Sequence, residues 1–299
     1  MRKFLRLPLV FHGTLLRAIR HDCFNLAQST AYSAIVSLFP ALIVAAAVVS
    51  ILPDSTPIRS QLAIFFARIL PADVSPLLQS YFVGPPSHIR STHALSIAFI
   101  VSLSGASSVL VTLMEGVRRA NGLAPDCWTF WQRRMRAFLL VPLSLIPFAV
   151  ASLLVVFGHL ITLWLAHHVM PSVREPVYFV ALAIRWIIAL TGSIGIIALI
   201  YHMGTPMQQS WKRTLPGAMV STVMWFLATL VFGWYVTRFA NYSQVYGSLA
   251  AGIALLFWLY IISLSILCGA EFNREFHERF FRAQETHSAP STPNGPSGG

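Results

Sequence analysis

GSLAAGIALLFWLYIISLSILCGA, residues 247–270, decides the fold. The stretch holds no charged side chain, and the first charge after it is Glu271. A helix needs about 20 apolar residues to cross the hydrocarbon core of a bilayer. Lipid offers the backbone no hydrogen-bond partner, so an apolar run of this length must satisfy itself as a helix. Five further runs of the same kind precede it: Ala31–Leu52, Ala94–Met114, Ala137–Ala166, Val177–Tyr201 and Leu215–Val236. The third is long enough to tilt or to extend past the interface. The pattern predicts an all-α, polytopic membrane protein, a bundle of six transmembrane helices within residues 25–283.

Composition agrees. Of 299 residues 56% are hydrophobic and only 10% are charged, where a soluble domain carries about a quarter. The net charge of +11 would suggest nucleic acid in a soluble protein. Here its distribution gives another reading. Fifteen Lys and Arg lie in the N-terminal segment, the second-to-third loop, the fourth-to-fifth loop and the C-terminal tail, and five lie in the other loops. The positive-inside rule then places both termini in the cytoplasm, and no nucleic-acid partner is expected. Cys23, Cys127 and Cys268 stand far apart and form no ligand pair. The first span begins too late and runs too long for a cleaved signal peptide, although Ala45 and Ala47 supply an A-x-A match.

The first outer loop, 53–93, carries Ile58, Leu62, Phe65, Phe66, Ile69 and Leu70 at helical spacing, then Val74, Leu77, Leu78, Tyr81 and Phe82 after Pro71. This predicts an extracytoplasmic amphipathic helical cap. Residues 1–24 read as a basic amphipathic segment on the inner surface, drawn to anionic lipid. Residues 284–299, rich in Ser, Pro and Gly, have little to bury and are expected to be disordered.

Polar residues inside spans are costly unless paired or hydrated, so they are the candidates for function. In the first span Ser29, Ser33 and Ser37 follow one another at one-turn intervals beside Gln28 and Tyr32, and Pro40 is expected to kink or loosen the helix. In the second, Ser104, Ser108, Thr112 and Glu115 share a face. The two faces would line a shared cavity, or the hydroxyls would serve close packing and bond back to their own helices. Arg185 lies inside the fourth span, where it either faces the bundle interior or snorkels to the interface. Glu115 and Glu271 end the second and sixth spans beside Arg118, Arg119 and Arg274, as interface ion pairs or as proton-coupling groups. His159, His167 and His168 cluster near the end of the third span without the convergence a metal site needs. No nucleophile elbow, P-loop or dinucleotide motif is present. No catalytic residue, metal or cofactor is expected.

Four further motifs stand in order: Tyr32 with Ser37-Leu38-Phe39-Pro40, Leu215-Pro216-Gly217-Ala218, Tyr246-Gly247-Ser248-Leu249 and Gly269-Ala270-Glu271. With them, residues 20–280 closely resemble the YihY/BrkB family of bacterial inner-membrane proteins. Two places depart from the family pattern. A Trp-Ser-Ala-Ser-like segment is replaced by SLSGASS in the second span, and a Tyr-Arg-x-x-Pro-like turn reads Tyr201-His202-Met203-Gly204-Thr205-Pro206. The resemblance implies a six-span protein of a family described as transporters and linked to envelope phenotypes. It also brings the label ribonuclease BN, a tRNA-processing enzyme, for which these short basic loops offer no spaced metal motif. In physical terms Pro216 and Gly217 are read at the start of the fifth helix, where proline is tolerated. Tyr246, Gly247 and Ser248 order the outer turn and open a small face on the sixth helix. The sequence therefore predicts a transporter or flippase-like protein for an amphiphilic or anionic envelope substrate, with the bilayer and such a lipid or anion as partners. A non-catalytic envelope scaffold is the alternative.

Overall fold

The computed structural model describes residues 7–50, 92–146, 174–206, 210–238 and 248–280. Among these the regular structure is helical, with no strand. The helices are α1 (Leu7–Arg20), α2 (Cys23–Ser50), α3 (Thr92–Ala120), α4 (130–146), α5 (Arg174–Met203), α6 (Trp211–Arg238) and α7 (Ser248–Phe280). A single 3-10 turn, Pro125–Cys127, lies between α3 and α4. Five segments are long and apolar enough to cross a membrane: Cys23–Val44, Ser96–Ala120, Leu182–Met203, Trp211–Tyr235 and Gly252–Arg279. Of the expected third span, Ala137–Ala166, the described part is helical to residue 146 and the rest lies outside the described residues. So do the expected cap, the tail 284–299, the three clustered histidines, and Tyr246 and Gly247.

The helices outrun the apolar stretches that predict them. α2 starts at Cys23, α3 continues to Ala120 and α7 to Phe280. Ion pairs at one-turn spacing carry the extensions, Glu115 with Arg118 and Arg119 on α3 and Glu275 with Arg279 on α7. α3 then stops at Gly122, whose φ of 67° suits glycine, and the N–H groups of Gly122 and Leu123 return to the carbonyls of Arg119 and Arg118. Between α1 and α2 the left-handed residue is Asp22, at φ 62°, with its carboxylate accepting from Asn25 Nδ2 at 2.6 Å.

α2 runs on as a helix through Pro40. Pro216 is inside α6 and a full turn past its first residue, Trp211, so the reading of it as a helix-start proline is corrected. The ring removes one intrahelical donor there, and α7 supplies an outside partner to the next residue. Gly217 N–H donates to Asn273 Oδ1 at 3.2 Å.

α2 lies along α3, and α7 lies against α6, α2 and α1. At the α6–α7 crossing, Gly217 faces Gly269. A Cβ on Gly269 would come within 1.7 Å of Ser221 Oγ and 2.7 Å of the Gly217 carbonyl, so only glycine allows this approach. At the α2–α3 crossing a Cβ on Gly105 would meet Ser37 Cβ at 2.4 Å.

The core gathers at one end of the bundle. Ala27 of α2, Met114 and Val117 of α3, Leu140 of α4, Ala198 and Tyr201 of α5, Ala218 of α6 and Leu267 of α7 are all buried there. The starts of α2, α4 and α6 thus meet the ends of α3, α5 and α7, and neighbouring helices alternate in direction. Toward the other end large apolar side chains are exposed, among them Phe99, Ile100, Ile184, Val231 and Ile253. In water such a surface would drive association; in lipid it is the expected boundary.

Candidate functional site

The polar face of α3 turns toward α4. Arg134 donates from Nη1 to Ser108 Oγ at 3.0 Å, and from Nη2 to Ser104 Oγ at 2.9 Å and the Ser104 carbonyl at 3.1 Å. Its guanidinium carbon stands 5.2 Å from the centroid of the Phe138 ring, one turn further along α4. Thr112 bonds back to the Ser108 carbonyl at 3.0 Å. Two turns below Ser108, Glu115 takes Arg118 at 2.6 Å, Arg119 at 3.0 Å and Arg133 at 3.4 Å. Glu115 is therefore the centre of an ion-pair knot joining α3 to α4. Arg133 and Arg134 are neighbours in sequence, yet they reach different levels of α3.

A second arrangement closes the same end from the other side. Glu271 of α7 is fully buried, with 0% of its side chain exposed. His21 Nδ1 and its Oε1 share a hydrogen bond of 2.6 Å, and Cys23 Sγ stands 3.8 Å from the same oxygen. Arg119 Nη1 holds the His21 carbonyl at 3.3 Å. The other oxygen, Oε2, is buried and has no hydrogen-bond partner among the described residues. Around it α1 is fastened to α7: Arg17 reaches Glu275 at 3.3 Å and Glu278 at 3.0 Å, and Phe11 packs on Phe272 with ring centroids 5.3 Å apart. Deeper still, Tyr201 Oη lies 2.6 Å from Ser221 Oγ and also bonds the Ile266 carbonyl, while Ser221 donates to the Ser265 carbonyl at 3.0 Å. This network ties α5, α6 and α7 together.

The sequence candidates thus fall into separate groups. Ser104, Ser108, Thr112 and Glu115 form one continuous lane facing α4. Gln28, Ser29 and Tyr32 are exposed on α2, Ser33 is half-buried, and Ser37 is buried and bonds back to the Ala34 carbonyl at 2.9 Å. The α2 and α3 faces touch where Ser37 meets Gly105, whereas the serines of α3 that hold Arg134 look elsewhere. Arg185 is in the helical backbone of α5, and its side chain lies outside the described residues, as does that of Ser248 at the start of α7. Among the described residues no group of three or more His, Cys, Asp or Glu could hold a metal ion.

Three participants were not singled out from sequence. Arg134 was counted only as a loop charge that sets orientation. The polar lane of α3, which needs donors at membrane depth, was the available signal for it. His21 had no such signal, because its role depends on α1 folding back over α7. Tyr201 appears in sequence as the end of a span and the first residue of the turn that departs from the family pattern, and neither shows its bond to Ser221.

The family model described as virulence factor BrkB matches residues 14–294. Relatives include YfkH of Bacillus subtilis (strain 168), named a ribonuclease-like protein, 27% identical over 87% of this chain and 92% of its own. A UPF0761 membrane protein of Alteromonas mediterranea is 26% identical over 94% of this chain and 92% of its own. Another, of Tolumonas auensis, is 26% identical over 90% and 85%. No solved structure matches this chain. Spans, motifs and family model coincide over nearly the whole sequence: the chain is a multi-pass membrane protein and belongs to the BrkB family.

Proposed function

We propose that this protein is an inner-membrane transporter or flippase-like carrier of an amphiphilic or anionic envelope substrate, with six spans and both termini in the cytoplasm. The chain's directions support the sixth span. α4 starts at the packed end and α5 finishes there, which are the directions that a six-span bundle requires of these two helices. The observation that carries transport is Glu271. Taking a carboxylate out of water costs several kcal/mol even after relaxation. A bundle that only holds its shape would pack a neutral residue there at lower cost. A buried acid with one oxygen shared with a histidine and the other unpartnered is the arrangement expected of a group that takes up and releases a proton during a cycle.

The test is flux in sealed vesicles carrying the purified protein and an imposed pH gradient, wild type against Glu271→Gln. Glutamine keeps the shape and removes the proton site. The expected result is at least about a tenfold fall in gradient-driven flux, the scale of losing one general acid–base group, with thermal stability equal or higher. Equal flux in the two proteins removes Glu271 from the mechanism.

The envelope-scaffold reading draws on the filled end of the bundle, where Met114, Leu140 and Leu267 are completely buried. The ribonuclease-like name belongs to the relative YfkH. We read this chain as non-enzymatic. Tight-binding RNA cleavage by highly purified protein, lost on a single substitution, would reverse that.

A further inference from the structure

Arg134 enters α4 from the loop, but its guanidinium is not at the loop. Its partners Ser104 and Ser108 belong to the membrane-length segment Ser96–Ala120, of which Ser108 is the central residue. At about 1.5 Å of rise per residue, Ser108 is roughly 10 Å above Glu115 and Ser104 roughly 16 Å above it. The ion pairs that neutralise Arg118, Arg119 and Arg133 are all on Glu115. Among the described residues no carboxylate pairs with Arg134. Its three acceptors are hydroxyls and a carbonyl, all neutral. They orient the guanidinium and leave its charge uncompensated in a region of low dielectric, where a cation requires an anion or water.

The guanidinium's own chemistry says which anion fits. It has five N–H donors in a flat fork. Three are used on α3, leaving the Nε–H and one Nη1–H without an acceptor among the described residues. The half-buried side chain remains open to a second partner. Carboxylate and phosphate oxygens are the acceptors such a fork takes most strongly, and in a bilayer the phosphate of an anionic lipid headgroup supplies them. Met135 and Leu139 are exposed apolar side chains of the same helix, suited to acyl chains.

We propose that Arg134, aimed by Ser104 and Ser108, binds the phosphate group of an anionic amphiphile and is the mid-membrane station of its headgroup. The proposal deepens the transport reading and rests on it for the word station; binding itself is measured apart from flux, so the two fail separately.

The experiment is native mass spectrometry of the full-length protein in detergent, titrated with phosphatidylglycerol, phosphatidylcholine or inorganic phosphate. Wild type should retain phosphatidylglycerol in preference to phosphatidylcholine. Arg134→Gln should bind phosphatidylglycerol about tenfold more weakly, the scale of a lost charge-assisted hydrogen bond. Arg136 stacks on the Trp128 ring, with its guanidinium carbon 4.6 Å from the centroid. Arg136→Gln lowers the net charge equally and should leave the affinity unchanged. Ser104→Ala with Ser108→Ala keeps the charge, guards against a folding defect in Arg134→Gln, and should weaken binding about threefold through lost orientation. Size-exclusion profiles report folding for each variant. Unchanged affinity in Arg134→Gln, or an equal loss in Arg136→Gln, overturns the site. Inorganic phosphate displacing the lipid at equal affinity assigns the site to a free anion and overturns the amphiphile. Binding through Arg134 in a protein that moves no lipid keeps the site and removes the transport reading.

Discussion

Gly269 shows what a single residue does here. Its missing Cβ lets Ser221 Oγ, the Tyr201 hydroxyl and the Gly217 carbonyl occupy one small volume. Without a strong hydrophobic drive between helices in lipid, such close contact and the bonds it permits supply the association. Gly269→Ala should therefore destabilise the detergent-solubilised protein by about 1–3 kcal/mol, the usual cost of overpacking. Ser221→Ala in the same chain should recover part of that loss, because the Gly217 carbonyl still stands 2.7 Å from the added carbon. Thermal unfolding of the two single variants and the double variant checks this. Strictly additive losses would contradict the contact. The Gly-Ala-Glu motif was visible in sequence, and so was the small size of its first residue. Its partner was not, since Gly217 and Gly269 are brought together only by the antiparallel packing of α6 on α7.

Among the elements α1 has the most distinctive attachment. One face holds Val10, Thr14 and Ala18 buried, while Leu9, Leu15, Leu16 and Ile19 are exposed. The buried face docks on α7, and the exposed apolar side chains suit the lipid boundary. Arg17 fixes the join by bridging Glu275 and Glu278. These groups are partly exposed, so Arg17→Ala should cost only about 0.5–1 kcal/mol. Its signature is local. Amide exchange should speed up across residues 7–20 and stay unchanged in α3 and α6. Uniform acceleration would mean that α1 is part of the cooperative core. The amphipathic face of α1 was readable from its spacing, and the long apolar runs made the spanning helices readable. Helix ends were not, because ion pairs such as Glu275 with Arg279 extend α7 past its uninterrupted apolar run. Arg134 was hidden for a related reason. A charge just before a span reads as a loop charge until the neighbouring helix shows hydroxyls waiting for it.

For the whole molecule the ion-bearing end is the organising feature. The Glu115 knot, the Glu271–His21 pair and the α1 clamp all lie where α3, α5 and α7 finish. On the proposed topology this end faces the cytoplasm. A cysteine placed at His168 should react in intact cells with a membrane-impermeant maleimide, whereas Cys127 should react only after the membrane is opened. The reverse pattern would invert the topology, and labelling of both from one side would remove the sixth span. The same orientation puts Glu271 near the proton-accessible cytoplasmic face and the Arg134 guanidinium halfway along α3. A lipid headgroup crossing this protein would then pass from a charged end to the Arg134 cation beside the middle of α3.

The most direct measurement follows that crossing. Vesicles containing headgroup-labelled phosphatidylglycerol are prepared with wild-type protein, Arg134→Gln, Glu271→Gln or no protein, and the label reaching the outer leaflet is timed with an impermeant quencher. Wild type should move lipid well above the protein-free rate, with each variant falling by about tenfold or more while still folded. Wild-type vesicles indistinguishable from empty ones, or variants as fast as wild type, would contradict the account.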